Sequence, residues 1–304
     1  MITRPTVFIL GAGASIPYGF PSGRQLRNNV IKRLQSANYG GWHDILRDLG
    51  FIPSEINNFV VALRGSGLIS IDAFLERRTE FMEIGKATIA LGLIQYEEQN
   101  RLNNPDNDER SWYEYFYNKL ITQSLEYFIM NRVSIITFNY DRSFEQYLFT
   151  TLKFTFGKTD KECAELLKNF SIIHVHGQLG NLPWQAQNSR HYSQTETVEE
   201  VKKAVEGIVV VSEVNVDSFE FSRAFELLAE AERIYFLGFS YLNQNLSRLK
   251  INNIRAQNKA SFYGTTFGMG LSDKNAMLKK WDMMPGNFKN VEIHDFLKNH
   301  ARWD

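Results

Sequence analysis

The sequence predicts an α/β fold, a Rossmann-like doubly wound parallel sheet with an inserted helical subdomain. Three observations lead there. The run Val7–Leu10 is apolar on both faces, as a strand inside a parallel sheet is, and it stops at Gly11-Ala12-Gly13. Further short apolar runs occur in SIITFNYDRSF (134–144), SIIHVHGQLG (171–180) and RIYFLGFSYLN (233–243), each ending in polar residues where the carboxyl edge of a sheet would lie. Stretches of helical character separate these runs, the alternation expected of a parallel sheet with helices on both faces.

In chain order, the first βα unit covers 6–37. The chain then reads as helix until the next sheet-like segment at 133–138, and this gap, residues 40–131, is the inserted helical subdomain of a single domain spanning 1–304. Its best-patterned element is 71–100, where Phe74, Phe81, Ile84, Ile89 and Leu91 fall close to helical spacing. RLNNPDNDER (101–110) is polar and carries Asn-Pro, so it reads as a loop, and 111–129 resumes as an aromatic-rich helix. Residues 132–304 complete the sheet and its helices: strand 133–138, helix 142–153, strand 171–175, helix 197–206, strand 207–212, helix 217–232 and strand 233–238. Helix 243–255, strand 260–264, helix 272–280 and a last strand near 290–293 follow, with no internal repeat.

Ligands of open α/β sheets lie outside the carboxyl ends of the strands, so Asn139, Asp141, His176, Gly238 and Ser240 are expected to converge on the turn Gly11–Ser15. Gly11 and Gly13 remove side chains that would hold a pyrophosphate away from backbone N–H groups, which points to a dinucleotide. The third glycine of GxGxxG is absent, position 16 being Ile16, and a ligand-free strand-to-helix turn is the other reading of this segment. Each candidate has a plainer role beside it. His174 projects to the same side of a strand as His176, so periodicity does not choose between them. Asn139 or Asp141 can cap the next helix. Arg24 can be a solvated first-turn arginine as well as a phosphate contact, and Ser240 a helix-entry residue. The stripe Trp112, Tyr113, Tyr115, Phe116, Tyr117 reads as core packing plus a protein contact rather than a base-stacking platform, since no basic excess accompanies it.

Gly11-Ala12-Gly13-Ala14-Ser15, then Gly19-Phe20-Pro21-Ser22-Gly23-Arg24, then Thr137, Asn139 and Asp141, then His176-Gly177, then Gly238-Phe239-Ser240 occur in this order over residues 11 to 240. In that order they resemble the sirtuin patterns GAG-x-S, GIP-x-x-R, T-x-N-x-D, the catalytic His-Gly and the later G-x-S nucleotide loop. The chain is therefore similar to sirtuins and to their NAD-hydrolase relatives in bacterial antiphage defence. The resemblance implies that Asn139 and His176 are catalytic, with His176 preferred over His174 because Gly177 follows it. It also implies that Gly11, Ala12, Gly13, Ser15, Arg24, Asp141, Gly238 and Ser240 hold NAD. Two departures matter. The sirtuin zinc ribbon of two CxxC pairs cannot be built from the single Cys163, so no metal is expected. Ser22 and Gly23 stand where an acidic and an aromatic residue usually shield the nicotinamide pocket, which favours water over a peptide as acceptor.

The chemistry these residues suit is cleavage of the nicotinamide N-glycosidic bond, with NAD as substrate. Nicotinamide leaves neutral, so no general acid is needed. Asn139 can hold a water or a ribose hydroxyl, His176, at an ordinary value of about 6.5, can take its proton, and Asp141 can favour a ribosyl cation. The expected products are ADP-ribose and nicotinamide, and the expected role is an antiphage, abortive-infection effector. An NAD-dependent deacylase or ADP-ribosyl transferase, and a silent nucleotide-sensing module, are the alternatives. The chain has 304 residues, is 43% apolar and has zero formal net charge, which gives no general electrostatic claim on nucleic acid or anionic membrane. No run of apolar residues reaches membrane-span length, and the cytoplasm is the expected location. Control of a cofactor hydrolase is expected to come from assembly: a homo-oligomer, or a partner protein such as a ring-forming DNA-translocating ATPase. The helices 71–129 with their aromatic stripe are the expected contact surface, and the polar loop 181–196 is the expected gate.

Overall fold

Six strands form one wholly parallel sheet in the computed structural model, which describes residues 1–35, 41–103, 110–121, 124–210, 218–257 and 260–304. They are β1 (Thr6–Leu10), β2 (Val133–Thr137), β3 (Ile172–His174), β4 (Arg233–Leu237), β5 (Ser261–Thr265) and β6 (Phe288–Lys289), in spatial order β3-β2-β1-β4-β5-β6. β1 is central, with Thr6 in register with Val133 on one side and Arg233 on the other. The order reverses between β1 and β4, and that reversal opens a crevice at the carboxyl edge.

Alternation along β1 divides the core into two layers. Phe8 and Leu10 face a large layer made by the helices between β1 and β2, together with helices that follow β2 and the last helix. Val7 and Ile9 face a second layer made by the helices around β4 and β5. Between β1 and β2 the described residues form α-helices and no strand: α1 (Gly23–Gln35), α2 (Trp42–Asp48), α3 (Pro53–Gly65), α4 (Ile71–Leu75), α5 (Met82–Ile94), α6 (Gln99–Asn103), α7 (Tyr113–Leu120) and α8 (Leu125–Phe128). After β2 come α9 (Ser143–Phe156) and α10 (Asp160–Leu167), and after β3 come α11 (Val198–Gly207) and α12 (Phe219–Glu230). α13 (Asn243–Arg248) and α14 (Ile251–Gln257) join β4 to β5, α15 (Leu271–Lys280) joins β5 to β6, and α16 (Ile293–Asn299) follows. Among the described residues no helix is long and apolar enough to cross a membrane.

Several elements differ from the expectation. The helix expected over 71–100 is broken at Arg78, whose φ of −129° and ψ of 67° are not helical, and the chain doubles back so that Leu75 lies against Gly85. Any side chain at Gly85 would fill the space of the Leu75 methyls, so the glycine permits the fold-back. The helix expected over 243–255 is interrupted at Lys250, in the left-handed region at φ 51°. The expected strand 207–212 contributes only an antiparallel bridge between Ile208 and Gly177, because Gly207 O and Val209 N pair with Gln178 N and His176 O instead of with a sheet strand; 211–212 lie outside the described residues. The last strand falls at 288–289, and Ile293, Phe296 and Leu297 supply the buried face of α16 at helical spacing. Much of the 101–110 loop also lies outside the described residues.

The aromatic stripe is interior. Trp112, Tyr113, Phe116 and Tyr117 are buried, with Phe116 edge-on to Phe8 and Trp112 stacked on Phe144, so the expected core packing holds and these four residues offer no contact surface. The 181–196 loop is anchored rather than loose. Arg142 and Arg190, both fully buried, converge on Glu97, and Arg142 also donates to the carbonyls of Gly180, Asn181, Arg190 and His191.

Candidate functional site

The loops that follow β1 and β4 meet through their glycines. A Cβ on Gly11 would lie 2.7 Å from Gly238 O, and one on Gly13 2.8 Å from Gly238 Cα, so these positions admit only hydrogen because backbone approaches backbone. Gly13 N donates to Gly238 O at 3.0 Å, Gly11 N to Leu237 O, Ala14 N to Gly11 O and Ser15 N to Ala12 O. The turn therefore spends these amides on itself and on the β4 loop, which corrects the expectation that the glycines serve to bare N–H groups to a pyrophosphate. Gly238, at φ 58°, is in turn held by Thr265 Oγ1, which accepts its amide proton at 3.0 Å.

Beside this junction lies a cavity of about 630 Å³. Of the expected residues, Gly11, Ala12, Gly13, Arg24, Asn139, Gly238 and Ser240 line it. Arg24 comes from the first turn of α1, whose N-terminus opens on the cavity through Ser22 and Gly23. Ser22 and Gln25 cap that turn reciprocally, the Ser22 hydroxyl accepting from Gln25 N and the Gln25 amide oxygen accepting from Ser22 N. An N-terminus without acidic residues in its first turn, next to a guanidinium, is electrostatically suited to an anion.

Ser15, Asp141 and His176 are not on the cavity wall. Ser15 and Asp141 are buried behind Asn139: the Asn139 amide donates to Gly11 O at 3.0 Å and to Ser15 Oγ at 3.1 Å, and Ser15 Oγ donates to Asp141 Oδ2 at 2.7 Å. Burial raises the pKa of the Asp141 carboxyl, and hydrogen bonds from Ser143 and Ser15 oppose that rise. Neither Asn139 nor Asp141 is the N-cap of α9, which is Arg142; Asp141, one residue before it, accepts from Ser143 N through Oδ1 at 3.2 Å.

His176 is 4% exposed, enclosed by Phe138 and Phe221 at ring distances of 5.3 and 6.2 Å. Its Nδ1 has no hydrogen-bond partner among the described residues. Burial, and secondly the Arg248 guanidinium, push its pKa down to about 4, well below the ordinary value expected from sequence. His174 has a different role. Its Nδ1 meets Asn139 O at 2.9 Å and its Nε2 pairs with Glu145; burial is the largest single influence on its pKa and lowers it, but the Glu145 carboxylate, the Asn139 carbonyl and the Asp141 charge together turn the net direction upward. His174 is thus a structural partner of the Asn139 segment, and His176 is the histidine next to the cavity.

Sequence reading missed Phe138, Thr265, Phe267, Arg110 and Glu292, all on the cavity wall. Thr265 was within reach, because YGTTFG ends an apolar strand in polar residues as the other three segments do. Arg110 and Glu292 approach each other to 3.9 Å from segments far apart in the chain and carry no local signature.

A parallel sheet in this strand order, with a cavity at the reversal point, defines a doubly wound α/β protein of the Rossmann-like class. The solved structures to which the chain is similar include a Sir2 bound to the inhibitor EX-527, 2′-O-acetyl-ADP-ribose and a deacetylated p53 peptide, at 17% identity over 97% of this chain and 91% of that one, with a TM-score of 0.42. A mutant Sir2 homologue in complex with 2′-O-acetyl ADP ribose is similar at 14% identity over 96% and 88% of the two chains, with a TM-score of 0.45. No protein-family model matches the chain, and no curated protein does.

Proposed function

We propose that this protein is an NAD glycohydrolase that releases nicotinamide and ADP-ribose. The observation that carries this reading is the single cavity on which Asn139, the Gly11–Gly13 turn, Arg24 and Gly238–Ser240 meet. Its volume lies within the roughly 300–1,000 Å³ of small-molecule sites. Arg24 and the α1 N-terminus supply positive potential for a pyrophosphate, and Asn139 presents a carboxamide to the ribose or to water. In the reaction a water oxygen bonds to C1′ of the ribose as the bond from C1′ to nitrogen breaks. The electron pair of that bond neutralises the pyridinium, and one proton leaves the attacking water. His176, kept neutral at pH 7 by its enclosure, lies behind Phe138, a ring on the cavity wall, and receives that proton once Phe138 gives way. The antiphage role, cytoplasmic location, homo-oligomeric state and activation by a partner such as a ring-forming DNA-translocating ATPase extend this reading from the resemblance of the site residues.

The test is incubation of purified protein with NAD, alone and with an acetyl-lysine peptide, followed by chromatography of the products. Equimolar nicotinamide and ADP-ribose without peptide, reduced at least about a hundredfold in Asn139→Ala and His176→Ala, is the expected result. Nicotinamide release only with peptide, coupled to deacetylation, establishes the deacylase instead, and intact NAD in both arms overturns the assignment.

A further inference from the structure

A buried chain of hydrogen bonds runs from the helical segment between β1 and β2 to the wall of the cavity. Tyr113 OH lies 2.7 Å from Ser143 Oγ, and Ser143 Oγ donates to Asp141 Oδ1. On the other oxygen of the same carboxylate, Ser15 Oγ donates at 2.7 Å, and Ser15 Oγ accepts from Asn139 Nδ2 at 3.1 Å. An ionised carboxylate only accepts, so both serines must direct their protons to it. With its proton committed, Ser143 Oγ can only accept from Tyr113, and Ser15 Oγ can only accept from Asn139. The second amide proton of Asn139 goes to Gly11 O at 3.0 Å. Both donors are used, and Oδ1 is the carboxamide atom left to the cavity. A flipped amide would set oxygen against Gly11 O, and a Ser15 with a free proton would lower that barrier.

We infer that Tyr113 and Ser143 are positioning residues that, through Asp141 and Ser15, fix the carboxamide of Asn139 with its oxygen toward the cavity. The inference rests on the proposed reaction only for its kinetic consequence. Tyr113 is well placed for the task, because its ring stacks on Tyr18 at 3.7 Å and its amide donates to Tyr18 OH at 2.7 Å, which holds the phenol rigidly. The titratable groups facing Asp141 are Glu145 on α9, His174 on β3, Tyr113 on α7 and Tyr192 in the 181–196 loop. The Ser143 hydrogen bond lowers the Asp141 pKa, so its loss moves protonation of Asp141 to higher pH.

The experiment uses the full chain labelled with ¹⁵N-asparagine, with the Asn139 amide pair identified by its loss in Asn139→Ala. Ser143→Ala and Tyr113→Phe are expected to shift or broaden that pair. In NAD turnover they are expected to lower kcat about tenfold with KM within about twofold, and Ser143→Ala to move the acid limb of the rate to higher pH. Tyr113→Phe keeps the ring stack and serves if Ser143→Ala does not fold. Unmoved Asn139 resonances with an unmoved acid limb overturn the inference. Shifted resonances in a protein that leaves NAD intact uphold the positioning role and overturn the glycohydrolase.

Discussion

Phe138 lies edge-on to His176, their ring centroids 5.3 Å apart and their planes at 68°, so the ring that lines the cavity also closes the histidine's enclosure. Replacing Phe138 with alanine is expected to admit water to the imidazole and raise its pKa from about 4 toward the ordinary value. Titration of the His176 ring proton by NMR checks this, and an unchanged midpoint in Phe138→Ala would place the desolvation elsewhere.

The same depressed pKa makes stability depend on pH. Between about 6.5, the unfolded value, and about 4, the folded one, the unfolded chain binds a proton that the folded chain refuses. Stability from this group is therefore complete above the upper limit and falls as pH drops through the window, by about 3 kcal/mol in all. Urea unfolding of the wild type and of His176→Asn across pH 4–7 is expected to show this slope in the wild type and its loss in the variant.

Much of this arrangement was legible in the sequence, for identifiable reasons. Runs such as Ile135–Ile136 and Ile234–Leu237 are apolar on both faces, a pattern that suits a central strand, and the polar residues just beyond them, Asn139 and Ser240, reach the cavity because they follow strands of one sheet. The purpose of the glycines was not legible. Gly13 is explained by Gly238, and nothing in either local segment announces the other. Nor was the state of His176, whose enclosure is assembled from Phe138 and Phe221 and whose charge is opposed by Arg248, three residues on separate elements. Helical spacing brought out the aromatic stripe at 112–117, but spacing alone does not say whether a face meets solvent or, as here, Phe8 and Phe144.

Gly238→Ala is expected to be among the most damaging single substitutions. The added methyl would fall on the Ala14 amide nitrogen, and φ 58° is unfavourable for any residue with a Cβ. Because the obstacle is backbone, the two loops must separate, at a cost of at least about 3 kcal/mol. Chemical denaturation should record that loss, and a variant within about 1 kcal/mol of wild type would contradict the described contact between the loops.

Arg142→Met is expected to cost about 3–5 kcal/mol, since it leaves Glu97 with Arg190 as its remaining buried cation and strips several carbonyls around the 181–196 loop of their donor. Limited proteolysis should then cut within 181–196 in the variant at protease levels that spare the wild type. Equal resistance of the two proteins would show that the loop is secured by other contacts.

The central place of β1 has a consequence for synthesis. Thr6 pairs with Val133 and with Arg233, so this strand leaves the ribosome long before either neighbour exists. At roughly 5–20 residues per second, its two edges stay unsatisfied for on the order of ten seconds or more. A nascent chain in that interval displays an apolar strand and a glycine turn, yet lacks the Gly238–Ser240 wall of the cavity. The proposed attack on the cell's dinucleotide pool becomes possible only once the segments carrying Gly238, Ser240 and Ile293 have emerged to complete the cavity wall.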